Sequence, residues 1–338
     1  MSNKKTAALS GLYRPLWPAL SLLAASCVLF MTLGANGHWD FVLPRRGMVL
    51  ASLLLVAYSV GVSTLLFQTL TNNPILTPSV LGFDSLYVFL QTLLVAVLGG
   101  IGYSTLPQTG KFAFELAAMV GGSLLLFQTL MRQGGRDLAR MILIGVVFGI
   151  LFRSLSSLLQ RLLDPEEFAV AQSSTFASFN TVNAKLLGVS AVIALVSAFF
   201  LWRERYKLDV LLLGRDQAVN LGLNYRHDML WILFWIAVLT ATATALVGPV
   251  SFFGLLVVAL SDRFCGSIRH SLRLPMAFLT ASVLLVGGQT VFEHLLGMKA
   301  VLSVVIEFAG GWCCESRSSF FRRPFCVVRP SENHIPIK

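Results

Sequence analysis

Charge is what this chain has least of. Asp, Glu, Lys and Arg make up 12% of its 338 residues, about half the share of an average soluble domain. With 56% hydrophobic residues and a mean hydropathy of +0.76, a soluble globular domain is excluded and a bilayer is the expected solvent. Catalytic signatures are missing too. No GxxxxGK[ST] loop occurs, so ATP is not bound by that device, and HExxH and GxSxG are absent. His38, His227, His270 and His294 fall in or beside different loops without metal-ligand spacing. An enzyme is disfavoured, and no metal or cofactor is expected. The five cysteines (Cys27, Cys265, Cys313, Cys314 and Cys326) form no CxxC pair and read as buried or incidental thiols. There is no low-complexity linker and no soluble domain. The apolar run from Leu16 to Leu33 lacks a small-x-small cleavage site, so it is expected to be a first span rather than a signal peptide.

What is present is a series of apolar runs of spanning length, about 17–25 residues. They lie near 16–35, 48–70, 83–101, 112–131, 140–162, 186–202, 229–248 and 275–292, with shorter candidates near 252–265 and 297–311. The expectation is an all-α polytopic membrane protein with about ten transmembrane helices over 1–311, followed by a tail, 312–338, too polar to span. Basic residues fix the orientation. With both termini inside, the inner segments hold 19 of the 26 Lys and Arg. The outer ones hold six: Arg45, Arg46, Lys111, Arg161, Lys185 and Lys299. That is the positive-inside distribution, and it accounts for the net charge of +10 without a nucleic-acid partner. Membrane lipid is the expected surrounding.

Residues 68–87, QTLTNNPILTPSVLGFDSLY, carry two prolines, two asparagines and an acid between two apolar runs. Pro74 and Pro78 remove backbone donors and bias their predecessors away from helix. Non-helical backbone at membrane depth survives only where protein buries it or it lines a cavity, so this segment is either part of a transport path or an ordinary interhelical loop. Ionisable groups inside spans are costly and face a bundle interior or cavity. Here they are Asp84, Glu115, Arg153 and Glu307, with Gln68, Gln91, Gln160 and Gln289 as polar neighbours. Gln68, Asp84, Arg153 and Gln160 are the candidates for lining a path. Arg153 and Gln160 stand seven apart on one helix face, and Arg153 fits a pathway or a structural ion pair equally.

Between Gly214 and Gly222 the apolar Ala218 and Leu221 alternate with the charged Arg215 and Asp216. Such a piece either lays its apolar side in a partner groove or is a solvated loop. Arg45 and Arg46 form a basic pair on the outer face, against the general bias. Either they anchor at lipid headgroups or they meet a partner.

Four ordered stretches carry a resemblance: LPRR at 43–46, FQTLTNNPILTPSVLGFDSLY at 67–87, LLLGRDQAVNLGLN at 211–224 and GPVSFFGLLVVALSDRF at 248–264. Together they resemble the permease subunits of ABC importers for iron-siderophore chelates, relatives of the vitamin B12 importer permease. The wording TPSVLGFDSLY is similar to the ferric catecholate-type branch. The resemblance implies a type II ABC importer permease fold of ten helices. It implies pairing with a second permease subunit, two cytoplasmic ATP-binding subunits below and a periplasmic siderophore-binding protein above. On this sequence it places the cytoplasmic gate at Asn73, Pro74 and Ile75, with Leu138 and Ala139 as a second lip. It makes Gly214, Arg215, Asp216, Ala218, Leu221 and Gly222 the ATPase coupling loop, built as two short helices, and it gives binding-protein docking to Arg45 and Arg46. The alternative is a proton-coupled secondary transporter with Asp84 or Glu307 as its titrating acid. Two features depart from the resemblance. The tail after Gly311 does not complete an apolar helix, and Glu293 and His294 stand where relatives carry an outer arginine.

Overall fold

The computed structural model describes residues 16–33, 39–132, 138–179 and 182–295. The expected tenth span, Glu307 and the 312–338 tail lie outside the described residues. Water cannot satisfy backbone groups in hydrocarbon, so apolar runs close their hydrogen bonds internally as helices. In chain order these are α1 (Leu16–Thr32), α2 (Trp39–Thr71), α3 (Phe83–Thr105), α4 (Gln108–Arg132), α5 (Leu138–Leu162), α6 (Pro165–Ser174), α7 (Ala184–Arg203), α8 (Arg205–Leu211), α9 (Arg215–Asn220), α10 (Tyr225–Val247), α11 (Phe253–Cys265) and α12 (His270–Leu295). A 3₁₀ turn, Pro78–Leu81, precedes α3.

Among the described residues six helices are long and apolar enough to cross a membrane: α2 from Val42, α3, α5 from Leu143, α7, α10 and α12 to His294. Helices α1, α4 and α11 occupy three further expected spans. Two boundaries differ from expectation. Helix α2 starts at Trp39 rather than near 48 and carries Pro44, Arg45 and Arg46 inside it. Pro44 sits within the second turn, where the only hydrogen bond it forfeits is to the first residues of the helix. Helix α6 lies between the spans expected at 140–162 and 186–202, where no helix is expected. Asp164 stands at its N-cap position, Pro165 at its first turn, and Glu166 and Glu167 follow, the composition that starts a helix and complements its dipole.

Helices α2, α10 and α12 form the centre. The apolar windows of α2 and α10 are 72% buried within the chain and that of α12 61%, against 22% for α7 and 17% for α5. Helices α5 and α7 therefore turn most of their apolar surface outward, to lipid or to a partner. Small residues allow the central helices to approach closely. A Cβ on Gly254 of α11 would collide with the Thr64 side chain of α2, and one on Gly61 would lie 3.2 Å from the Ala277 carbonyl of α12.

A similar contact seats the broken segment. Gly82 ends the 3₁₀ turn at φ 89°, a left-handed conformation suited to glycine. A Cβ there would meet Gly149 Cα at 2.7 Å, and one on Gly145 would meet Leu81 Cα at 3.2 Å. The pair Gly145 and Gly149, one turn apart on α5, thus forms a flat face against which residues 81–82 lie. Replacing Gly82 with Ala combines a strained φ with overpacking against backbone and should destabilise by about 2–5 kcal/mol. Thermal unfolding in detergent should show this, whereas Gly188→Ala, with nothing within 4 Å of the added Cβ, should be neutral or slightly stabilising.

Candidate functional site

The segment after α2 is satisfied locally, without a helix. Asn72 takes φ 46°, a conformation that asparagine tolerates better than most residues. Its N–H donates to the Thr69 carbonyl (3.4 Å), the Asn73 N–H to Gln68 O (3.3 Å) and the Ile75 N–H to Asn73 Oδ1 (3.0 Å). Asn73 and Pro74 are half-buried and Ile75 is exposed, while Leu76, Thr77 and Pro78 turn inward. Leu138 and Ala139 are the first two residues of α5, and the contact of Gly145 with Leu81 brings that helix to the segment.

The stretch expected to form the coupling loop holds two short helices, α8 and α9, the first lying upstream of the glycine-bounded interval. Gly214 and Gly222 bracket α9 at φ 95° and 86°. At its end the Gly222 N–H donates to Val219 O (2.9 Å) and the Leu223 N–H to Ala218 O (3.1 Å), the paired bonds of a Schellman stop. Arg215 and Asp216 are exposed. The two apolar residues expected on one docking face separate. Ala218 is fully buried in the chain's own core, in one cluster with Leu208 and Leu211, whereas Leu221 is 63% exposed and Val219 and Leu213 are exposed too. A six-residue helix presents one side to its bundle and the other outward, and Ala218 falls on the inner side. Lys207 ties this region to α10, donating to Asp228 Oδ1 at 3.1 Å and pairing with Glu204 at 2.8 Å. Both acids hold its ammonium above the ordinary lysine value, Glu204 foremost.

The four pathway candidates do not form one stripe. Gln68 is buried, its amide nitrogen without a hydrogen-bond partner among the described residues. Gln160 donates to Thr92 Oγ1 of α3 at 3.4 Å. Asp84, at the start of α3, accepts from Ser251 at 2.5 Å and from Ser79, and Arg153 on the exposed face of α5 lies within electrostatic reach of it. Sequence reasoning missed Ser251 and Ser79. The Gly248-Pro249 pair that breaks the chain after α10 was the available signal. The cavity at this junction, lined by Thr64, Pro78, Ser79, Thr240 and Ser251, is about 10 Å³, room for about one water. A second, polar cavity of about 230 Å³ is lined by Tyr87, Lys111, Glu115 and Asn183. There Glu115 is buried and accepts from Gln91 at 2.7 Å.

The basic pair on α2 also separates. Arg45 is exposed. Arg46 reaches back to the end of α1, where Nη1 donates to the carbonyls of Phe30 (2.8 Å) and Leu33 (2.5 Å) and lies 3.4 Å from that of Met31, with the guanidinium 5.8 Å from the Phe30 ring. It satisfies the orphan carbonyls of a helix C-terminus and complements its dipole. Arg46→Ala should therefore lower stability by about 1–3 kcal/mol, and Arg45→Ala should not. Parallel thermal melts of the two variants decide this.

Three comparisons bear on this arrangement. Residues 18–313 match the FecCD transport family. The chain is 42% identical over 289 residues to the petrobactin import system permease YclO of Bacillus subtilis, covering 86% of this chain and 92% of that one. It is 30% identical over 262 residues to the ferric enterobactin permease FepD of Escherichia coli, covering 76% and 75%. A solved metal-chelate type ABC transporter in an inward-facing conformation superposes with a TM-score of 0.80 at 22% identity, covering 91% of this chain and 99% of that one, a likeness of fold. With the match running across every described helix from the body of α1 onward, the chain belongs to the FecCD transport family, as a membrane permease subunit that works with a partner permease and ATPase subunits.

Proposed function

We propose that this chain is the membrane-spanning subunit of an ATP-driven importer that carries ferric-siderophore complexes across a bacterial inner membrane. The observation that carries this reading is the match, over 86% of the chain, to a permease named for petrobactin import. The second petrobactin permease it resembles, FatC of Bacillus anthracis, at 32% identity, points the same way. Petrobactin is thus the first substrate to test. The geometry is compatible. Between α2, α3 and α10 the described junction holds no more than a water, so a chelate would pass along an outer face. Helix α5, least buried of the spanning helices and carrying Arg153, Ser154 and Ser157 outward, suits a path shared with a second permease.

In this reading the termini, α8, α9 and the 73–75 segment face the cytoplasm. Two ATPases sit below, each receiving the exposed side of α9, and a periplasmic siderophore-binding protein docks at Arg45. ATP binding and hydrolysis shift the population between outward-open and inward-open states. A proton-coupled mechanism gains no support from Asp84, whose carboxylate is engaged by Ser251 and Ser79. The decisive assay is uptake of radiolabelled ferric petrobactin into proteoliposomes holding the permease, its ATPase and the binding protein. Uptake should require ATP and survive an uncoupler. Collapse with the uncoupler at constant ATP would reverse the assignment.

Leu221→Asp should reduce transport-linked ATP turnover at least tenfold with membrane insertion intact, because an unpaired charge buried in a partner groove costs several kcal/mol, by order of magnitude. Ala218→Asp instead strikes the chain's own core and should reduce its abundance. Arg45→Glu should slow association of the binding protein several-fold at low salt and flatten its salt dependence, as rim charges do. Stopped-flow association at two ionic strengths measures this, and an unchanged rate would leave Arg45 a lipid anchor.

A further inference from the structure

His270, the first residue of α12, is completely buried, yet both of its ring nitrogens are used. Its Nδ1 lies 2.7 Å from Asp209 Oδ1 of α8, and the same oxygen accepts the His270 backbone N–H at 2.7 Å. Its Nε2 lies 2.8 Å from Thr69 Oγ1 of α2, itself buried. A carboxylate only accepts, so Nδ1 carries a proton toward Asp209, while Nε2 meets a Thr69 hydroxyl that also reaches the Leu65 carbonyl of its own helix at 2.9 Å. Burial raises the Asp209 carboxyl, but the hydrogen bonds from His270 and the nearby Arg269 charge outweigh it and hold it below the usual carboxylate range.

Three helices are thereby pinned at one imidazole, and each leads somewhere functional. Asp209 belongs to the helix that leads through Gly214 into α9 and the exposed Leu221. Thr69 lies in the last turn of α2, and its carbonyl and that of Gln68 hold the amides of Asn72 and Asn73. Apolar contact runs in parallel, since Leu208 and Leu211 of α8 share a core cluster with Leu70 and Leu76.

We propose that Asp209, His270 and Thr69 form the rigid link that transmits displacement of the coupling helices to the gate segment, as positioning residues for transport. The proposal rests on the reading of α9 as the ATPase contact and of residues 73–75 as the gate. It is a contiguous chain of hydrogen bonds between two elements that must move together, and it has no slack because the ring is buried on all sides.

The test uses the full permease–ATPase complex in proteoliposomes, in a background without native cysteines. A thiol probe at Ile75→Cys reports the gate. With Thr69 intact, labelling should change on adding nucleotide. Thr69→Val keeps the shape but removes the hydroxyl, and it should abolish that change and lower ferric petrobactin uptake per ATP hydrolysed by tenfold or more. Thr69→Ser should restore both. His270→Asn retains a donor toward Asp209 while losing the Thr69 contact, and it should behave like Thr69→Val, so a folding failure of one variant leaves the other to decide. Combining the two should be no worse than either alone. Nucleotide-dependent labelling that persists in Thr69→Val, loss of thermal stability with uptake per ATP retained, or additive losses in the double variant would each overturn the link. If Ile75→Cys shows no nucleotide response with Thr69 intact, the gate reading fails instead. If the unmodified complex takes up no iron chelate with ATP, the functional assignment fails before either.

Discussion

Where a helix of this protein is interrupted within the bundle, the freed backbone polar groups must find partners in the protein, because hydrocarbon offers none. That constraint explains why the breaks look as they do. After α2 the freed amides of Asn72, Asn73 and Ile75 find acceptors within five residues. After α10, Gly248 donates back to Thr244, and the stranded Val247 carbonyl accepts from Ser178 at 2.7 Å. The side chains at the meeting of the two breaks, Asp84, Ser79 and Ser251, then satisfy one another. These polar side chains meet because the helices are interrupted there, and the glycines at 82, 145 and 149 allow the interruption to pack closely against α5.

The amount that could be read in advance follows the same physics. Long apolar runs have one stable outcome in a membrane, so the existence and order of the described spans was legible. The start of α2 was not, since Pro44 and the arginine pair look like a loop unless one knows that a helix end waits for Arg46. Helix α6 had every starting signal, Asp164, Pro165, Glu166 and Glu167, and was passed over because its ten residues are too short and too polar to span. The glycines at 214 and 222 correctly marked the limits of α9. Which side of that helix faces outward depends on the bundle beneath it, and six residues cover too few turns to show a period. Ala218 was therefore assigned outward with Leu221, and burial reverses it.

Pairs that sit together in sequence can thus do unrelated things. Arg45 and Arg46 share a charge and a position against the positive-inside trend, but one end of α1 claims only the second. The polar residues proposed as a single path likewise divide among an unpaired buried amide, a hydrogen bond to α3, a serine-bound carboxylate and an outward guanidinium. Spacing along one helix fixes a face, and only the neighbours decide what that face touches.

The length of α2 has a mechanical corollary. Its 33 residues make a rod of about 50 Å, well over the roughly 30 Å of hydrocarbon, so one end must project into the aqueous layer or the rod must lean steeply. From Arg45 to Thr71 it runs continuously for about 39 Å. A lean of about 5° at the arginine end would carry the other end sideways by about 3 Å, the length of a hydrogen bond.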